Sequence, residues 1–219
     1  MSLRNGYDAK LAEIKGDILR MGGIAGEMAR LATDAVLNGN IEIAHHVISM
    51  DDTVDDLEKT ILNKTVSAVA LETPVAGDLR LLVSTLGITG EVEKVADDAV
   101  KLARRATRLT GHFPAEMKVA LMDLAEAASK AFACSLRLYA QYEADLADSV
   151  IRSDKDIDGQ YANARHRVLD LIRQNPSETE HLVRTIDAFH ALEHIADHAV
   201  QIATRLKIHN EGVPLRLEA

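Results

Sequence analysis

From Leu11 onward the apolar residues recur three or four positions apart. Leu11, Ile14, Ile18, Met21, Ala25, Met28, Ala32 and Val36 form one stripe of a helix from about Asp8 to Leu37. The run Asn38-Gly39-Asn40 ends it, and a second helix extends from Ile41 to about Leu71 through Val47, Val54, Ile61, Thr65 and Ala68. Pro74 breaks the pattern, because proline lacks an amide donor and restricts the residue before it. A third helix runs from about Ala76 or Asp78 to Leu109 and stops at Thr110 to Pro114. The fourth spans about Ala115 to Asp148, and the polar run Ile151 to Asp156 is expected to separate it from a fifth that reaches about Arg173. After Pro176, Ser177 as a cap and Glu178 and Glu180 in the first turn suit a sixth helix, continuing to about Asn210. No segment shows the two-residue alternation of a strand. The expected fold class is all-α, with six long helices.

The order is three helices followed by three more, and landmarks repeat between the halves. Asp51 and Asp154 stand 103 positions apart, Pro74 and Pro176 102, Glu93 and Glu193 100. A nearly constant offset points to an internal duplication. It predicts two tandem three-helix bundles, residues 1–110 and 111–219, each closing its own core through short antiparallel connections.

Four acidic pairs carry the candidate chemistry: Asp51/Asp55, Glu93/Asp97, Asp154/Asp158 and Glu193/Asp197. Residues four apart on a helix project in one direction, so each pair presents two carboxylates together. Glu93 lies seven after Leu86 and seven before Val100, and Glu193 has the same relation to Ile186 and Val200. These acids therefore border the packed face, where partial burial and mutual repulsion both disfavour the charged form. A multivalent cation resolves both problems. Antiparallel neighbours would bring Asp51/Asp55 toward Glu93/Asp97 and Asp154/Asp158 toward Glu193/Asp197, giving two oxygen-rich clusters suited to iron, manganese, magnesium or calcium, with zinc also compatible. Asp52, Asp56 and Asp98 share the region but are expected to face solvent, and His194 and His198 are expected to be solvated or packed.

Composition narrows the remaining classes. The formal charge of -9 and the 3% aromatic content argue against a nucleic-acid binder, which needs clustered cations and stacking surfaces. The basic run Lys101 to Arg108 reads as an exposed helical face. Cys134 stands alone in a helical pattern, as a buried free thiol does. The first residues lack the apolar core of a signal peptide and no stretch has the length of a membrane span, so a cytoplasmic location is expected. The Glu-x-x-His strings Glu42 to His45 and Glu178 to His181 start helices in non-equivalent positions, unlike the mid-bundle placement in di-iron proteins. Nothing marks a nucleophile or phosphate loop.

The stretch Glu72 to Ala103 resembles the PhoU family of phosphate-transport regulators. Pro74, Val75, Ala76, Asp78, Leu79 and Arg80 match its Pro-Val-Ala-x-Asp-Leu-Arg segment, and Glu93/Asp97 and Glu193/Asp197 match its repeated Glu-Arg-x-x-Asp motif. Asp51/Asp55 and Asp154/Asp158 match the acidic pairs of the preceding helices. The resemblance implies multinuclear metal clusters, iron foremost, held by these eight residues. It further implies a non-enzymatic regulator that forms a homodimer or higher oligomer and links the cytoplasmic ATPase of a phosphate ABC transporter to a sensor histidine kinase. The alternative is a helical metal-binding protein for cation handling or for a different transporter. Two departures stand out: the motif arginine is Lys94 in the first copy and His194 in the second, which loses the planar guanidinium fork.

Overall fold

The computed structural model describes residues 3–72, 74, 76–108 and 113–211. Its six helices are α1 (Leu3–Asn38), α2 (Ile41–Glu72), α3 (Ala76–Arg108), α4 (Lys118–Ala140), α5 (Ala144–Gln174) and α6 (Thr179–Glu211), with single 3-10 turns at Ala115–Met117 and Pro176–Glu178. The expected break at Thr110 to His112, and with it the boundary between the halves, lies outside the described residues. So do Thr73 and Val75.

The end of α1 follows from its sequence. Gly39 takes a left-handed φ of 64°, open to a residue without a Cβ. That turn lets the Asn40 amide donate back to the Ala35 carbonyl at 2.9 Å, while the Asn40 side chain accepts from the Ile43 amide at 3.0 Å and caps α2. Ser177, expected to cap α6, instead sits within the 3-10 turn that precedes it.

The break between the fourth and fifth helices is not where the polar run suggested. It falls at Gln141 to Glu143, with extended backbone at Gln141 and Glu143, and α5 passes without interruption through Ile151 to Asp156. The reason is visible in the stripe Ala147, Val150, Asp154, Ile157, Tyr161, Ala164 and Val168, which keeps an unbroken three-four spacing with Asp154 standing at an inward position. The polar residues around it occupy the outer face. On α2 the stripe Ala44, Val47, Asp51, Val54, Glu58, Ile61, Thr65 and Ala68 is built the same way.

Helices α1 to α3 pack as one three-helix bundle and α4 to α6 as another, and α3 packs along α6. Their contacts pair ascending with descending numbers: Glu91 meets His198 and Arg205, Asp98 meets His194 and His198, and Arg105 meets Asp187. The two helices are therefore antiparallel, and Asp98 meets His198, its counterpart 100 positions on, at their crossing. Those residues are equivalent in the duplication, so the halves are related by a pseudo-twofold axis through this crossing. Buried apolar residues of both bundles form one cluster, from Ile18 and Met28 on α1 to Phe189 and Ile202 on α6. Helices α1 and α4 also approach closely: a Cβ placed on Gly22 would stand 2.5 Å from Leu136 Cδ2.

Candidate metal centres

Each acidic pair lies at the middle of its bundle, where two antiparallel helices bring it to the pair on the neighbouring helix. In the first half Asp51 lies beside Asp55 and Asp97, and Glu93 beside Asp97, Glu58, Asp55 and Asp51. Burial first, then those carboxylates, hold both Asp51 and Glu93 above the ordinary carboxylate range. Arg104 offsets part of this at Asp51, and Lys101 is drawn up by Asp98 and, more weakly, by Asp97 and Glu93. Glu58, a fifth acid in this group, was not singled out from sequence. Its signal is the α2 stripe, where it takes the inward position seven after Asp51.

In the second half one oxygen from each of Asp154, Asp158 and Asp197 lies within 4.8 Å of the others. Burial and then Asp158 raise Asp154; burial and then Asp154 raise Asp197. Glu193 is the extreme case. Burial first, then Asp197, push it up to about 7, and its Oε2 is buried with no hydrogen-bond partner among the described residues. Tyr161 occupies the position equivalent to Glu58, and burial followed by Glu193 raises its phenol. Three converging oxygens beside an orphaned, buried carboxylate oxygen have the donor chemistry of a hard multivalent cation site. Of the eight acids named from sequence, Asp154, Asp158 and Asp197 bring their oxygens together, Glu193 stands beside them, and Asp51, Asp55, Glu93 and Asp97 lie near one another without such convergence among the described residues.

Between the two sets runs a polar network that sequence reasoning missed. Asp98, expected at the surface, is 1% exposed, and Glu91 is 5% exposed. Both belong to a second inward stripe of α3, Ile88, Glu91, Val95, Asp98 and Leu102, which faces α6. A single-face reading of α3 hid it, because a helix packed on two sides carries two stripes. His198 bridges the pair, with Nδ1 3.0 Å from Glu91 Oε2 and Nε2 3.3 Å from Asp98 Oδ2. Burial works against both charges, yet the bond with His198 lowers Glu91 and Asp98. Lys94 and Arg205 assist at Glu91, and Lys101 assists at Asp98. His198 in turn is raised by these two acids in spite of its burial, so the ring favours the imidazolium that donates from both nitrogens. Asp52 and Asp56 are exposed as expected, and Cys134 is free but only partly buried.

No helix among the described residues is long and apolar enough to cross a membrane.

The PhoU domain model matches residues 18–106 and 121–206, one segment within α1 to α3 and the other within α4 to α6. The phosphate-specific transport system accessory protein PhoU homologue of Pseudomonas aeruginosa is 30% identical over 199 residues, covering 90% of this chain and 82% of that protein. The homologue of Clostridium acetobutylicum is 26% identical, covering 90% of each. The crystal structure of PhoU from Pseudomonas aeruginosa superposes with a TM-score of 0.91 at 29% identity, over 94% of this chain and 99% of that one. The regulatory protein PhoU from Streptococcus pneumoniae shares the fold at a TM-score of 0.86 and 22% identity, over 94% and 97% of the two chains. A duplicated three-helix unit, carboxylate pairs at equivalent places in both copies, and matches spanning both halves lead to one assignment: the chain belongs to the PhoU family, whose members regulate phosphate transport and are not enzymes.

Proposed function

We propose that this protein is a metal-loaded regulator of phosphate uptake and phosphate-starvation signalling, acting between the cytoplasmic ATPase of a phosphate ABC transporter and a sensor histidine kinase. The observation that carries this reading is the match of the family model to both halves, with an acidic pair of each motif copy inside each matched segment. Metal occupancy is supported by the raised carboxyls of both clusters and by the buried Glu193 Oε2, which has no hydrogen-bond partner among the described residues. Bound cations would neutralise the clustered acids and hold α2 to α3 and α5 to α6. Iron fits the oxygen donors, and manganese, magnesium, calcium and zinc are compatible with them. Self-association as a homodimer and peripheral placement at the inner membrane through the transporter complete the proposal.

The test is genetic. A strain lacking this protein is expected to express phosphate-starvation genes in phosphate-rich medium and to be restored by the unmodified chain, but less well by Glu93→Gln with Asp97→Asn. Unchanged expression in the deletion strain, with altered metal tolerance, would overturn the phosphate reading in favour of cation handling.

A further inference from the structure

We propose that His190, Glu193 and His194 form a zinc-class site of mixed nitrogen and oxygen donors, present in the second half alone. The inference deepens the metal reading above and rests on it in taking Glu193 as a ligand. His190 and His194 stand four apart on α6, with ring centroids 4.0 Å apart. Their Nε2 atoms lie 4.0 and 3.9 Å from the same Glu193 oxygen, Oε2, which has no hydrogen-bond partner. Such separations are too long for hydrogen bonds. They lie a little above the spacing of about 3.3 Å between neighbouring ligands of a tetrahedral ion with zinc-length bonds. A small side-chain adjustment closes the remainder, and the three donor atoms already fall within 4.8 Å of one another.

The surroundings suit a bound ion rather than a pair of idle surface rings. Asp98 Oδ2 lies 3.7 Å from His194 Nδ1, beyond hydrogen-bond reach but close enough for its negative charge to favour a proton on Nδ1 and leave Nε2 for metal. The Tyr161 ring packs on His190 with centroids 5.7 Å apart and limits its rotation. Both histidine side chains are nearly half exposed, which leaves the ion reachable from solvent with room for water as a further ligand. The first half has no counterpart: the equivalent positions are Gly90 and Lys94, one without a side chain and the other a cation. Imidazole shifts preference toward zinc, cobalt, nickel and copper and away from magnesium and calcium. The two halves therefore differ in the metals they select.

The experiment uses the full chain after chelation, titrated separately with zinc and with manganese. The proteins compared are the unmodified one, His190→Gln with His194→Gln, and Glu93→Gln with Asp97→Asn. The tightest zinc site should weaken at least tenfold in the histidine variant and stay within twofold in the first-half variant. Zinc X-ray absorption of the unmodified protein at one equivalent should show imidazole scattering that the histidine variant lacks. Zinc affinity within twofold in the histidine variant, zinc held by carboxylates only, or no zinc binding at all would overturn the proposal. Failure of the broader carboxylate reading has a different signature: manganese does not bind the unmodified protein, whatever zinc does. Because His190 and His194 are nearly half exposed and glutamine is of similar size, the variant should keep its thermal melting profile under chelation, which separates lost ligation from lost folding.

Discussion

Glu193→Gln should stabilise the metal-free protein, and the gain should appear only as the pH rises. Burial and the adjacent Asp197 push Glu193 from an ordinary 4.5 up to about 7. Below the lower value both folded and unfolded chains hold the proton, so the group contributes nothing to the difference. Between the two values the unfolded chain releases a proton that the folded chain keeps, and stability falls as pH rises. Above about 7 the penalty is constant. A tenfold change in the protonation equilibrium corresponds to about 1.4 kcal/mol, which sets an upper bound of about 3.5 kcal/mol on the cost of the ionised carboxylate. Sharing of the repulsion with Asp197 and residual solvent contact bring the expected gain to about 1–3 kcal/mol at pH 8, a rise of roughly 3–10 °C in melting temperature for a chain of this size. The assay is calorimetry of chelator-treated protein from pH 4.5 to 8, comparing the variant with the unmodified chain. Addition of a saturating cluster metal should reverse the order, since glutamine is the poorer ligand. A difference that is equal at pH 4.5 and pH 8 would refute the assignment of Glu193 as an acid strained by its charge.

Three further outcomes follow from the packing. His198→Ala should cost about 1–3 kcal/mol at pH 6 in chemical denaturation and less at pH 9; the raised folded-state pKa means its contribution is complete below the ordinary 6.5 and fades as pH climbs through the folded value. Glu93→Gln with Asp97→Asn should lower metal content at the first cluster while leaving Asp154, Asp158, Glu193 and Asp197 loaded, which elemental analysis against the corresponding second-half variant can resolve. Gly22→Val should lower stability by about 1–3 kcal/mol, because a Cβ there meets Leu136 at 2.5 Å; Gly23→Ala, whose Cβ meets nothing within 4 Å, should be neutral or gain up to about 1 kcal/mol in thermal melts.

Much of the fold was legible because helical periodicity is a local property. The stripes of α1 and α2, the turn at Gly39 and the duplication all appear in the order of residues. Legibility failed where one residue type served two purposes. The aspartates at 154 and 156 made the middle of α5 look like a loop, although Asp154 fills an inward position and Asp156 faces out. At the centres, the pairing of Asp51/Asp55 with Glu93/Asp97 and of Asp154/Asp158 with Glu193/Asp197 followed from antiparallel connections within each half. The Glu91, His198 and Asp98 network did not, because it depends on α3 meeting α6, a contact between halves that no short connection dictates.

That contact explains why the two copies differ where they do. In two identical units joined by a twofold axis, residues near the axis face their own equivalents, so each must tolerate itself as a neighbour. Positions 98 and 198 are equivalent and meet where α3 crosses α6. Two buried aspartates there would repel, and two neutral histidines would leave the acids without a cation. Tandem fusion removes the constraint: aspartate in one copy and histidine in the other form a charge-assisted bridge, with Nε2 of His198 3.3 Å from Asp98. The same division of labour recurs further out. Arg105 pairs with Asp187 at 3.3 Å, whereas its equivalent Arg205 finds Gly87 in place of that aspartate. The guanidinium crosses the space a Cβ would occupy, 2.9 Å from its Nη1, and reaches Glu91 at 3.2 Å. The residue equivalent to Glu91 is Ala191, so this acid too exists in one copy only. Asymmetry at the axis thus converts repeated surfaces into complementary ones, and it ties the flank of one carboxylate cluster to the flank of the other through His198.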